Sequence, residues 1–248
     1  YWDGTREATF QSQVRPNAQV YGPILWVAAQ PGGLAQGLVR KVDSDVEQSF
    51  WGHPFLLSAN APVPTQAVHQ VFSLRDPYPA DWSRLYVTFT PLGFPLTVDG
   101  VQGSAGASIT VISDSPGTAA QPLAALVSPV QHATLNGQDF FLDQSGVGTT
   151  PTLAWDPPTL GTPVCYLVQV VEVAPTQSGG ISFGSPWNSQ MTVFGTSVQI
   201  PPGTLMAGKA YLIQVRAMVA GQGYDPAVPG RLPLPLGFAD CVSGLIRP

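Results

Sequence analysis

The stretch GTLMAGKAYLIQVRAM, Gly203 to Met218, decides the fold of this chain. From Tyr211 the odd positions read Tyr211, Ile213, Val215, Ala217 and Val219, whereas the even ones include Gln214 and Arg216. An alternation of period two marks a strand with one face in a core. Leu205 stands six residues before Tyr211, across the tight connection MAGK. A tyrosine at the start of such a strand fills core space with its ring and sends its hydroxyl back to the backbone of the preceding corner, so its burial leaves no polar group unpaired. Leu205 and Tyr211 are therefore read as structural residues.

Upstream, TPTLAWDPPTLGTPVCYLVQVVEV supplies a strand ending in Trp155, a proline-rich loop, and a strand in which Tyr166, Val168 and Val170 alternate with Gln169 and Glu172. The order is tryptophan strand, loop, tyrosine strand, then leucine-to-tyrosine corner. Over residues 127–248 the chain resembles a fibronectin type III domain of the kind found in secreted and surface bacterial proteins. TLAW looks like strand B of that family, CYLVQVVEV like strand C, TSVQIPPGTL like strand E and AYLIQVRAM like strand F. The corner departs from the family in carrying Ala207 and Lys209 where Pro and Thr are common, and the stretch from Thr176 to Val193 is long for the link between strands C and E. The resemblance implies an immunoglobulin-like sandwich with Trp155, Tyr166, Leu205 and Tyr211 in structural roles. It implies a spacer, adhesive module or binding platform, and no common chemistry.

The first half is not recognised, yet it has the same character. Segments rich in Val, Ile, Thr and aromatics, bounded by Gly or Pro, recur at Ala8–Val14, Ile24–Gln30, Ala67–Leu74, Arg84–Leu92 and Ala107–Ser113, while capped helical periodicity is nearly absent. The small, aromatic-free segment DSPGTAAQPLAAL reads as a connection. The expectation is an all-β chain of two tandem β-sandwich domains: a β-rich domain over 1–114, a linker over 115–126, and the fibronectin-like domain over 127–248.

Composition narrows the function. Only 10% of the 248 residues are charged, against roughly 25% in ordinary domains. The net charge is −5, and the ten basic residues are dispersed, which excludes nucleic acid as an expected partner. No apolar run reaches the roughly 18 residues of a membrane span. Gly and Pro, 26 of each, read as turn punctuation between apolar runs. The chain begins at Tyr1 without a charged-then-apolar leader, so a processed form is expected.

Candidate chemistry is sparse. GISFG, Gly180–Gly184, matches the nucleophile-elbow spacing around Ser182, but turn-like SPWNSQ follows where a helix should. His53, His69 and His132 lack metal-ligand spacing. Asp43, Asp45 and Glu47 place three carboxylates on one side of an extended segment, a weak calcium candidate beside the simpler reading as a solvated acidic loop. Trp51, His53, Tyr78 and Trp82 lie in proline-rich surroundings, and aromatic rings beside polar groups suit sugars; the plainer reading is that they plug the ends of the core or an interface. Cys165 and Cys241 form a possible disulfide. A lone pair in a secreted domain commonly bonds, but if Tyr166 faces the core Cys165 faces out, and two strand spacings of about 9.5 Å exceed the roughly 7 Å a bridge allows.

The expected function is therefore non-enzymatic: an extracellular or cell-surface structural or assembly protein that associates with itself or other surface components. An adhesin or carbohydrate-binding accessory module acting on polysaccharide through the aromatic residues of the first half is the alternative. No cofactor is expected.

Overall fold

The structure is a computed structural model that describes residues 2–30, 55–60, 69–70, 76–185, 189–229 and 232–248. The chain enters through β1 (Trp2–Asp3), two short helices α1 (Thr5–Thr9) and α2 (Gln11–Val14), β2 (Gln19–Val20) and β3 (Ile24–Gln30). After β4 (Phe55–Asn60) and β5 (His69–Gln70) come two long strands, β6 (Ser83–Val98) and β7 (Val101–Ser113). The remainder comprises β8 (Gln131–Leu135), β9 (Gln138–Asp139), β10 (Gln144–Ser145), β11 (Thr152–Asp156), β12 (Cys165–Pro175), β13 (Ile181–Phe183), β14 (Gln190–Val193), β15 (Ser197–Gln199), β16 (Ala210–Val219), β17 (Leu236–Val242) and β18 (Ile246–Arg247). The fold is all-β.

One expected strand is helical. Ala8–Val14 belongs to α1 and α2, because Glu7, Phe10 and Val14 recur at helical spacing and these are the residues the segment buries. Its Thr, Phe and Val suggest a strand by type, but their positions obey the helical period.

In the second half a four-stranded sheet of order β15-β11-β8-β9 packs face to face on part of the larger sheet, where β14, β12, β16 and β17 are successive neighbours. Leu135, Leu153 and Trp155 from the first meet Tyr166, Val168, Ile213 and Val215 from the second in one buried cluster. The Trp155 and Tyr166 rings meet edge-on, 5.1 Å between centroids. The long stretch from Thr176 to Val193 is accounted for by β13 and β14, which both pair with β12.

The large sheet continues into the first half. β17 pairs antiparallel with β7 from Leu236 opposite Ile112 to Ala239 opposite Ile109, and β7, β6, β3 and β4 follow in order. All seven residues of β17 are buried, as befits a strand covered on both faces. The main cluster also takes in Phe10, Val14, Leu92 and Phe94. The segment 115–126 joins β7 to the second half, and its end is anchored: Leu123, Ala124 and Ala125 are buried, and the Asp3 backbone N–H donates to the Leu123 carbonyl at 2.9 Å.

On the opposite face of the large sheet lies a second cluster, in which Cys165, Leu167, Met218 and Phe238 meet Leu85, Val87 and Ile112 under Leu232. Cys165 thus points away from the main cluster yet is buried, among Leu85, Val87 and Ile112 of the first half and Leu232 of the chain before β17. No helix among the described residues is long and apolar enough to cross a membrane.

Candidate functional site

A fork in the large sheet sets up the site. β6 and β7 form a hairpin closed by Asp99 and Gly100 at φ 48° and 82°, the two left-handed positions of a type I′ turn. Such a turn makes Val98 and Val101 a mutually bonded pair, so the odd residues of β7 bond to β6, and Gln102, Ser104, Gly106 and Ser108 turn their N–H and C=O groups the other way. Beyond Ser108 that outer edge is covered by β17. At Ser108 the ladder stops, for the backbone N–H and the hydroxyl both donate to one carboxylate oxygen of Asp240, at 2.8 and 3.1 Å.

Asp240 is only 1% exposed and is held by Arg216, whose Nε and Nη2 donate to the two carboxylate oxygens at 2.6 and 3.1 Å. The guanidinium also lies over the Phe238 ring, 5.0 Å from its centroid. Burial of this carboxylate is tolerated because both oxygens accept charge-assisted hydrogen bonds. With its side chain in the place of a backbone partner, β17 follows β16 and leaves β7 behind.

A shallow groove of about 440 Å³ opens at the fork. Ser104, Gly106 and Ser108 line one side, Gln214, Arg216 and Asp240 another, and Tyr21, Phe89 and Pro91 the rim. The Tyr21 ring, half exposed, rests directly on Gly93, where a Cβ would come within 2.1 Å of a ring carbon. Only glycine permits that approach. At Gly106, opposite Gly93 in the register, a Cβ would meet the Leu92 carbonyl oxygen at 3.6 Å, an ordinary contact.

Residues singled out in the sequence fall elsewhere. Tyr78 and Trp82 do come together, stacked at 5.4 Å and 7° in a loop secured by Arg84, which bonds to the Asp76 carboxylate and the Trp82 carbonyl, and to the carbonyls of Tyr78 and Pro79 at 3.2 and 3.1 Å. The Arg84 hydrogen bond holds the Asp76 carboxyl below its usual range. Trp51, His53, Asp43, Asp45 and Glu47 lie outside the described residues. Ser182 sits in β13 and donates to the Ala174 carbonyl at 3.0 Å, a strand position without the sharp turn a nucleophile elbow requires. His69 is in β5, and His132 is exposed with Nδ1 2.9 Å from Asp156. Among the described residues no group of three or more His, Cys, Asp or Glu could hold a metal ion.

Cys165 and Cys241 are free thiols, so the possible disulfide is not formed. β16 separates them, Cys165 lying opposite Met218 and Cys241 opposite Val215, and they occupy different clusters on opposite faces of the sheet. Burial raises both thiols above their ordinary range. Trp155, Tyr166 and Leu205 are buried in the main cluster. Tyr211 is buried with them, and its hydroxyl accepts a hydrogen bond from the Met206 backbone N–H at 3.0 Å.

The groove itself is not visible as a motif. Its one sequence signal is Asp240, a lone carboxylate inside the apolar run LGFADCV; a charge in such a place must be paired. No protein-family model and no curated protein matches the chain.

Proposed function

We propose that this chain is a non-enzymatic structural or assembly protein of the cell exterior, built of β-sandwich modules, whose residues 127–248 are fibronectin type III-like. Support for that module comes from the neighbours β15-β11-β8 stacked on β14-β12-β16-β17, and from the phenol of Tyr211 bonded back to its own corner.

The observation that carries the assembly reading is the outer edge of β7. Proteins that stay solitary guard such edges with Lys, Pro, bulges or a covering segment. Between Gln102 and Gly106 the residues are small or uncharged, and on the edge away from β6 no described strand pairs with them. The low charge of the chain as a whole acts in the same direction, because charged side chains are avoided in the desolvated centre of interfaces. Light scattering and electron microscopy across a concentration series test the proposal: species larger than the monomer are expected to grow with concentration, and a monomer at every concentration overturns it.

The stacked Tyr78 and Trp82 favour a second reading, a carbohydrate-binding or adhesive module. Binding to a glycan array that Trp82→Ala abolishes supports it, and failure to bind any polymer removes it.

A further inference from the structure

We propose that the edge of β7 from Gln102 to Gly106 receives an extended, uncharged polypeptide segment donated by an assembly partner, which adds to the sheet as a strand in the place that β17 vacates at Asp240. The inference rests on the assembly reading and names its contact surface.

Geometry identifies the guest. Gln102, Ser104 and Gly106 are exposed and offer outward N–H and C=O groups at every second residue, a repeat of about 6.7 Å. An extended backbone presents complementary donors and acceptors at that repeat; the hydroxyls of a sugar do not. From Ser104 onward the edge lines the groove that Tyr21, Gln214 and Arg216 also line, and a single extended strand can follow it there.

Charge and shape then specify the segment. β7 carries no charged residue from Val101 to Ser113, and Arg216 and Asp240 neutralise each other, so a charged guest would lose hydration without gaining a partner. Gly106 lies opposite Gly93, on which the Tyr21 ring rests, and carries no side chain of its own there. A large apolar side chain on the guest, opposite Gly106, can lean across the two glycines onto the ring. Asp240 caps the slot at its inner end by holding the Ser108 N–H, and Arg247, bonded to Asp99 at 2.7 Å, fixes the hairpin tip at the outer end.

The test uses the full chain and a fluorescein-labelled heptapeptide, Thr-Val-Thr-Phe-Thr-Val-Thr, followed by anisotropy and by backbone amide exchange. In dilute protein alone the amides of Ser104 and Gly106 are expected to exchange quickly, while those of Gly103 and Ala105, bonded to β6, exchange slowly. Saturating peptide is expected to slow Ser104 and Gly106 by at least about tenfold. Ser104→Pro removes one outward N–H, leaves the β6 ladder intact and abolishes binding, whereas Ser104→Ala retains it. Should the proline variant fail to fold by near-ultraviolet circular dichroism, Ser104→Lys is expected to abolish binding through an edge charge. Slow exchange of Ser104 and Gly106 in the dilute protein, or no change with peptide, overturns the proposal. Protection that grows with protein concentration without peptide, and is lost in Ser104→Pro, overturns the foreign donor in favour of a second copy. Peptide binding that persists in Ser104→Pro overturns the edge but leaves the assembly reading standing; peptide binding by a chain that never self-associates supports the edge and overturns self-assembly.

Discussion

Tyr211 shows how one side chain serves two requirements at once. Its ring is buried in the main cluster, while its hydroxyl accepts from the Met206 N–H and so fixes the corner that Leu205 anchors. Tyr211→Phe removes only the acceptor and is expected to cost about 1 kcal/mol in a urea titration. Tyr211→Ala also empties the ring's space, and a loss of about 3–5 kcal/mol is expected. Equal losses for both variants would mean that the hydroxyl, not the ring, carries the effect. Glu7 is the opposite case. Its carboxyl is 1% exposed, neither oxygen has a hydrogen-bond partner, and burial pushes its pKa from 4.5 up to about 7, with the nearby backbone N–H groups of Glu7 and Ala125 offsetting part of that cost. Asp3 raises it further and Arg6 lowers it slightly. The folded state therefore holds a proton that the unfolded state releases. This contribution to stability is complete below pH 4.5, falls as pH rises to about 7, and is flat above, a loss of roughly 3 kcal/mol. Glu7→Gln is expected to flatten stability across that window; an unchanged slope would place the titration elsewhere.

At the scale of elements, the short helices and the fork have the same origin: a few side chains divert a chain whose composition otherwise favours strands. Arg15, just past α2, lies over the Phe94 ring at 4.6 Å and donates to the Ser243 carbonyl, tying the helix to the hairpin and to the end of the second half. Asp240 diverts β17 from β7 at Ser108, and Arg216 makes that diversion affordable in a buried place. Asp240→Ala leaves Arg216 without its carboxylate and Ser108 without its acceptor. A loss of about 3–5 kcal/mol is expected, the usual cost of breaking a buried pair from one side. Replacing both members, Asp240→Leu with Arg216→Met, removes the unpaired charge as well, so the double variant is expected to recover much of that stability by denaturant unfolding. It would also lose the cap on Ser108 and narrow the groove, which amide exchange at Ser108 reports. Similar losses in the single and double variants would show that the ion pair is not what holds the fork.

For the whole molecule, what the sequence made legible was whatever repeats with a short period. Ile24–Gln30 coincides with β3, Arg84–Leu92 and Ala107–Ser113 fall inside β6 and β7, and the alternation after Tyr211 is β16. The segment Ala8–Val14 was misread because residue type and residue period disagreed there. The groove was not legible, since it depends on Ser108 and Asp240 meeting across 132 residues, and no local pattern records which strand a given edge will find. The same non-local pairing bears on how the two halves behave. Leu236 to Ala239 pair with Ile109 to Ile112, and Phe10, Val14, Leu92 and Phe94 share a cluster with Trp155 and Tyr211. Units that share a sheet and a core lose their packing together, so thermal unfolding is expected as a single transition whose calorimetric and van't Hoff enthalpies agree. Residues 127–248 expressed alone would expose the β7-facing edge of β17, with Leu236 and Phe238 stripped of their cover in the second cluster. That fragment is expected to aggregate or to melt well below the full chain. Two separate transitions, with the fragment reproducing one of them unchanged, would instead mark the halves as independent units that merely touch.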